Sequence, residues 1–310
     1  MRIVFCGTPQ FAVPSLKYLL TQEDFEIVRV YTQPDRPRGR GQEVSFSPVK
    51  EAAVEAGLEV QQPAKVRSPE VEAELRKVAP DAIVIIAYGQ LIPARLLPIP
   101  RLGWINLHAS LLPKYRGAAP IQWAIANGET LTGNTTMRID AGMDTGEMLV
   151  QEELTIGEAE TAPELAGRLA ELGAPLMAKT LRGLASGELM GRAQDHAGAT
   201  MAPILKREDG RIEWERRAAE ISNRMRGFAP WPGAYTEFRG QMCHLRGKPT
   251  AGEAAGEPGR ILVEKDFVRV ICGGGSQLEL THVKQEGRKE ITAGEFVRGA
   301  RVVEGERFGK

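Results

Sequence analysis

Ala82-Ile-Val-Ile-Ile-Ala87 is the stretch that decides the fold. Six apolar residues without alternation bury both faces of a strand, as the centre of a parallel sheet requires. Strand and helix signals then alternate on either side of it. Upstream, Arg2–Cys6 is a short apolar run closed by Gly7, and a helical pattern follows through Phe11, Val13, Leu16 and Leu19-Leu20. Residues 27–31 make a second strand, and helices are predicted near 48–56 and 69–79. Downstream come a strand at 104–108, a helix at 120–126, a strand at 134–138 and a long helix over 162–186. The alternation predicts an α/β fold with a doubly wound, mostly parallel sheet.

The texture changes near residue 187. Gly187, Gly191, Gly198 and Pro203 punctuate a polar connector, a helix follows over 218–228, and five short strand patterns then succeed one another. These lie at 234–238, 241–246, 260–263, 267–272 and 277–283, with a loop expected over Gly252–Pro258. Five short strands suggest a small OB-like β-barrel. The expected division is a domain over 1–188, a linker over 189–207 and a β-domain over 208–310. The 310 residues suit roughly two domains of about 150 each.

The composition, 42% apolar and 26% charged, is that of an ordinary globular chain. Net charge is zero, but residues 1–205 carry 20 basic against 24 acidic groups, a net of −4, and residues 206–310 carry 20 against 16, a net of +4. A mildly basic second domain permits a polyanionic partner without requiring one. Cys6, Cys243 and Cys272 are odd in number and widely spaced, which argues against a disulfide framework or a zinc site and suits a reducing, cytoplasmic setting. No run reaches the roughly 18 apolar residues of a membrane span, and no targeting segment precedes the first strand, so no membrane association is expected. Gly7-Thr8-Pro9 follows the first strand but lacks Gly-x-Gly-x-x-Gly, which argues against a dinucleotide site.

Candidate chemistry sits on and after the strand at 104–108. Asn106 and His108 are two apart on a strand and share a face. An amide can donate to a developing oxyanion, and an imidazole can move a proton. Alone, His108 would read as a satisfied core histidine, and Asp144, among the turn formers of Asp140-Ala-Gly-Met-Asp-Thr-Gly146, as a loop carboxylate.

Asn106-Leu-His-Ala-Ser-Leu-Leu-Pro-Lys-Tyr-Arg-Gly117, together with Asp140-Ala-Gly-Met-Asp-Thr-Gly146, resembles the folate-dependent formyltransferases. Met1–Ala12, Thr32–Gly41 and Phe228-Ala-Pro-Trp-Pro-Gly-Ala-Tyr235 extend the resemblance and narrow it to members whose acceptor is methionyl-tRNA. The resemblance implies a Rossmann-like catalytic domain and transfer of a formyl group from 10-formyltetrahydrofolate to the α-amine of initiator methionyl-tRNA through a tetrahedral intermediate. It implies Asn106, His108 and Asp144 as catalytic residues and no metal. Ser110, Leu111, Leu112 and Pro113, with Ala87, Tyr88 and Gly89, are expected to receive the folate. Arg36, Arg38, Arg40, Lys50 and Arg116 are expected to meet the tRNA, because arginine holds phosphate with a fixed, permanently charged fork. Arg211, Arg216, Arg217, Arg224, Arg226, Arg239, Arg246 and Lys248, with Trp214 and Tyr235, could form a further nucleic-acid surface on the β-domain. A monomer without protein partners is expected. Two rivals remain open at this point: a folate-dependent formyltransferase for a small amine, such as glycinamide ribonucleotide or an amino sugar, and a non-enzymatic nucleic-acid-binding module.

Overall fold

The computed structural model describes residues 1–38, 43–264, 267–303 and 305–309. The first strands are β1 (Arg2–Gly7), β2 (Glu26–Tyr31), a hairpin of β3 (Arg36–Arg38) and β4 (Glu43–Ser45), and β5 (Val60–Gln61). β6 (Ala82–Ile86), β7 (Trp104–His108), β8 (Leu131–Arg138) and β9 (Met148–Thr155) follow. They are interleaved with helices α1 (Val13–Leu20), α2 (Pro48–Glu55), α3 (Pro69–Val78), α4 (Pro120–Ala126) and α5 (Ala162–Ser186). Seven of these strands form one sheet in the order β5-β2-β1-β6-β7-β8-β9. Pairing is parallel from β5 to β7 and antiparallel for β7-β8 and β8-β9. The fold is therefore the expected doubly wound, mostly parallel sheet, with an antiparallel edge.

The period-two alternation divides each central strand between two cores. Ile3, Phe5, Ala82, Val84, Ile86, Ile105 and Leu107 face one core with α1, α2 and the later part of α5. Val4, Cys6, Ile83, Ile85 and Trp104 face the other, with Tyr31, Val71, Leu75 and Tyr88. Helices α2 and α3 start where the sequence supplies a cap: Ser47 and Ser68 accept from the backbone N–H groups of Lys50 and Val71, with proline at the first helical position. Strand order reverses between β1 and β6, and open α/β sheets bind ligands beyond such a point.

The chain divides into two compact units. The first comprises Met1–Pro120, Leu131–Thr155 and Leu165–Pro203. The second comprises Ile204–Lys310 together with two excursions from the amino-terminal half, Ile121–Thr130 and Ile156–Glu164. The connector expected over 189–207 is thus part of the first unit as far as Pro203.

In the second unit, α6 (Ala218–Gly227) precedes β10 (Tyr235–Phe238), β11 (Gln241–Glu253), β12 (Ile261–Val263), β13 (Val268–Ile271), β14 (Ser276–Gln285) and β15 (Ile291–Thr292). A last helix, α7, spans Ala293–Ala300. The six strands form an antiparallel sheet in the order β10-β11-β14-β13-β12, with β15 on β14. Register shifts at Arg246/Gly247 and between Thr250 and Glu253 mark bulges, which bend a strand as a small curved sheet needs. The loop expected over Gly252–Pro258 starts later, since Gly252 and Glu253 are still in β11. Trp214, 4% exposed, stacks on Phe308 at 5.7 Å and belongs to the core of this unit rather than to a surface for bases.

Candidate active site

Strand β7 places Asn106 and His108 on the face shared with Trp104. His108 is buried. Its Nε2 lies 2.8 Å from the carbonyl oxygen of Tyr115. A carbonyl only accepts, so Nε2 carries the proton and Nδ1 is the nitrogen left for chemistry. Nδ1 lies 3.6 Å from Oδ2 of Asp144, an ion-pair distance too long for a good direct hydrogen bond. Asn106 is only half-buried, and among the described residues nothing takes its side-chain amide. An amide donor and an imidazole nitrogen therefore stand on one face, beside a carboxylate.

Asp144 does not come from the nearest strand end. β8 pairs antiparallel with β7, with Ile105 opposite Arg138 and His108 opposite Thr135. The chain leaves β8 level with Ile105, three residues short of His108, and Asp144 must return roughly 10 Å at about 3.3 Å per strand residue. Several hydrogen bonds hold this return. Asp140 accepts from the Gly142 N–H and the Thr145 hydroxyl. The Gly117 N–H donates to Oδ2 of Asp144 at 2.8 Å. The Gln194 amide donates to the carbonyl oxygens of both Asp144 and Gly146, each at 2.8 Å. Asp144 itself has a left-handed backbone, φ 51°. Gln194 lies in the stretch that the sequence marks as a connector. A polar Gln-Asp-His run is the signal the sequence offers there, and nothing in its spacing points to a loop 50 residues earlier.

The segment after His108 is built rather than loose. Ser110 is fully buried and donates to the Lys114 carbonyl oxygen. The Leu112 N–H donates to the Thr135 hydroxyl, and the Leu112 carbonyl accepts from Gln151. Leu112-Pro113 is a cis peptide. The side chains of Ser110 and Leu112 point inward, so Leu111, Pro113 and the backbone are the groups of this segment open to a ligand. Beyond β6, Ala87 and Gly89 are exposed with positive φ, 46° and 83°, while Tyr88 is buried between them. The Tyr88 carbonyl accepts from the Thr8 hydroxyl at 3.2 Å and from the Gln33 amide at 3.0 Å. The ends of β1, β2 and β6 are thereby tied together at the reversal of strand order.

The residues expected to meet tRNA divide. Arg36 and Arg38 lie on the β3–β4 hairpin, and Arg40 falls outside the described residues. Lys50 is not a free cation: its ammonium is paired with Asp35 and sits 3.8 Å over the Phe46 ring. Lys50, and then Gln62, hold the Asp35 carboxyl below the ordinary carboxylate range. Arg116 departs further from expectation. It is 6% exposed, and its guanidinium donates to the Gln194 side-chain oxygen at 2.7 and 3.0 Å and faces Nδ1 of His196 at 3.2 Å. Flanked in sequence by a lysine, a tyrosine and a glycine, it reads as surface, but its partners lie about 80 residues away in the chain.

In the second unit most of the basic cluster is engaged internally. Arg216 pairs with Glu213, Arg239 with Glu306, Arg246 with Glu290 and Lys248 with Glu279. Arg226 donates to the carbonyl oxygens of Gly157 and Glu160. Among the described residues no group of three or more His, Cys, Asp or Glu side chains is placed to hold a metal ion, and no helix is long and apolar enough to cross a membrane.

Residues 1–181 match the family model described as formyl transferase, and residues 204–301 match its C-terminal domain. The methionyl-tRNA formyltransferase of Solibacter usitatus is 52% identical over 100% of this chain and 99% of its own length. That of Acidobacterium capsulatum is 54% identical over 96% of each. Among solved structures, the sugar 3N-formyl transferase WlaRD, crystallised with dTDP and 5-N-formyl-THF, superimposes with a TM-score of 0.65 over 93% of this chain and 99% of its own. At 18% identity that likeness concerns the fold alone.

Proposed function

The chain belongs to the formyltransferase family, and from that membership we propose that it transfers the formyl group of 10-formyltetrahydrofolate to the α-amino group of initiator methionyl-tRNA. The family is one of formyl transferases, the structural neighbour WlaRD was crystallised with 5-N-formyl-THF, and the relatives matched over the whole chain are named for methionyl-tRNA. One observation carries the assignment of the site: an amide with no partner among the described residues and an imidazole with one nitrogen tied back, both on the strand next to β6, where the strand order reverses, with a carboxylate 3.6 Å from the other nitrogen.

The groups present fit a folate. Its pterin ring is flat and rimmed with donors and acceptors, and the exposed turn at Ala87 and Gly89 offers backbone groups to such a rim. When bound, the folate supplies the formyl carbon. Attack by the neutral amine converts its carbonyl oxygen to an oxyanion, and the Asn106 amide donates to that oxygen without first breaking another bond. His108, protonated at Nδ1, adds positive charge that Asp144 balances. The attack forms a bond from the amine nitrogen to the formyl carbon; as the oxyanion collapses, the bond from that carbon to the folate N10 breaks, the amine gives up one proton and N10 gains one. Asp144, with one oxygen held by Gly117 and the other without a hydrogen bond among the described residues, is the base for the first transfer. His108 Nδ1 is the relay for the second.

The test is transfer of labelled formyl from 10-formyltetrahydrofolate to purified methionyl-tRNA, with glycinamide ribonucleotide and an amino sugar nucleotide as competing acceptors. Preferential labelling of the tRNA is expected. Faster labelling of either small amine would replace this acceptor with that one.

A further inference from the structure

Arg116 and Gln194 form a buried pair whose free end is turned on the Asp144 loop. Both side chains are buried. Two guanidinium nitrogens converge on the single side-chain oxygen of Gln194, which fixes the plane of its amide. With the oxygen so held, the two N–H groups are aimed at the carbonyl oxygens of Asp144 and Gly146. A glutamine alone could flip; a glutamine whose oxygen is gripped by a cation cannot exchange its two ends. The backbone around Arg116 is equally tied down. Its N–H donates to the Thr200 carbonyl at 2.8 Å, and its own carbonyl accepts from the Ala202 N–H at 2.7 Å. The Tyr115 N–H donates to the Thr200 hydroxyl. The next residue, Gly117, has φ 119° and would bring a Cβ to 2.7 Å from the Ala202 carbonyl oxygen.

The catalytic geometry is thus held from one two-stranded crossing of residues 115–117 and 194–202. The Tyr115 carbonyl sets the His108 tautomer, the Gly117 N–H holds Oδ2 of Asp144, and Gln194 holds the loop backbone. We propose that Arg116 and Gln194 are positioning residues for the transfer, acting on Asp144 through its backbone and never touching either substrate. The proposal rests on the assignment of Asp144 to the chemistry.

The consequence is a loss in turnover rather than in binding. Misplacing a reacting group by about 1 Å costs on the order of 100-fold, so Gln194→Ala should lower kcat roughly 10- to 100-fold, with KM for methionyl-tRNA changed by less than about 3-fold. Gln194→Glu separates positioning from folding. Its carboxylate strengthens the pair with Arg116 but puts an acceptor where a donor faced two carbonyls. It should keep a cooperative unfolding transition, with the melting temperature lowered no more than in Gln194→Ala, and lose kcat as Gln194→Ala does. The deciding measurement is a double-mutant cycle on kcat. Residues acting as one unit are non-additive, so Gln194→Ala placed on Asp144→Ala should remove less than about 2-fold more. Multiplying losses, or normal turnover of Gln194→Glu, would overturn the positioning role. Normal turnover of Asp144→Ala itself would overturn the parent assignment, and the positioning role with it.

Discussion

The Asn106 side chain has no hydrogen-bond partner among the described residues, which makes it the cleanest of the proposed site residues to remove. Its side chain holds no other element among the described residues, so Asn106→Ala should leave the melting temperature within a few degrees while kcat falls by about 100- to 1000-fold, the usual scale for removal of an oxyanion donor. Steady-state turnover beside thermal unfolding checks it, and near-normal kcat would remove Asn106 from the chemistry. Gly117 should behave differently. Both its φ of 119° and the nearby Ala202 carbonyl oppose a side chain, so Gly117→Ala should destabilise the protein by roughly 1–3 kcal/mol as well as reduce turnover. Urea unfolding measures the first and an unchanged midpoint would contradict it. The cysteines should be silent. Burial pushes the Cys6 thiol up beyond any accessible range, Cys243 up to about 11 and Cys272 up to about 12, and the thiolate is the nucleophile. Iodoacetamide at neutral pH should label none of them until denaturant is added. At this scale the sequence is legible where chemistry follows local period: Asn106 and His108 share a face because strands repeat every two residues. Asp144 is legible only by resemblance, because its reach to His108 depends on a loop that folds back along the sheet. Arg116 defies a surface reading because burial of an arginine is decided by distant partners.

Among the elements, the ends of β1, β2 and β6 behave as one. The Gln33 amide ties the segment after β2 to the Tyr88 carbonyl, and Gln62 links the Gln33 carbonyl to Asp35. The arginine hairpin grows from this segment, so Gln33→Ala should weaken folate binding by a few-fold even though Gln33 is not on the Ser110–Pro113 side of the site. Quenching of intrinsic fluorescence by a folate analogue reads this out, and unchanged affinity would show the two loops to be independent. Replacing Arg36 and Arg38 by Ala should instead lower kcat/KM for methionyl-tRNA and flatten its log–log salt dependence by about one unit for each phosphate left without its arginine. Superimposable salt curves would remove the hairpin from tRNA recognition. The central strands can be read from sequence because burial on both faces makes them continuously apolar. β9 cannot: Met148–Thr155 lies at the sheet edge, and its Gln-Glu-Glu centre is what solvent permits there. Helix α7 escapes a reading by pattern although its signal is present. Thr292 and Glu295 form a reciprocal capping box at its start, but the helix has only eight residues.

For the whole molecule, the two excursions of the amino-terminal half into the second unit set the limits of dissection. Trp123 packs edge-to-face on Phe228 at 5.2 Å, and a Cβ on Gly227 would meet the Gln122 carbonyl oxygen at 2.7 Å. Cutting after Pro203 uncovers this packing, so a 1–203 fragment should melt well below the full chain, as expected when a large aromatic side chain is deprived of packing worth roughly 3–5 kcal/mol. Equal melting temperatures would show the first unit to be self-sufficient. A cut at 188 should do worse, because it also removes Gln194, Thr200 and Ala202, and folate-binding titrations of the two fragments should differ accordingly. Composition and texture announce two units; they cannot announce that the chain crosses between them, since Ile121–Thr130 and Ile156–Glu164 look like any other stretch of an α/β pattern. The crossing of 115–117 with 194–202 also has a meaning in time. A ribosome delivers this chain from its amino end, and Asn106, His108 and Asp144 all emerge before the segment that braces the Asp144 loop. Translation adds roughly 5–20 residues per second, so about 4–17 seconds separate the appearance of Gly117 from that of Ala202. Until that second segment arrives, the nascent polypeptide carries all three proposed reacting groups without the brace on the Asp144 loop.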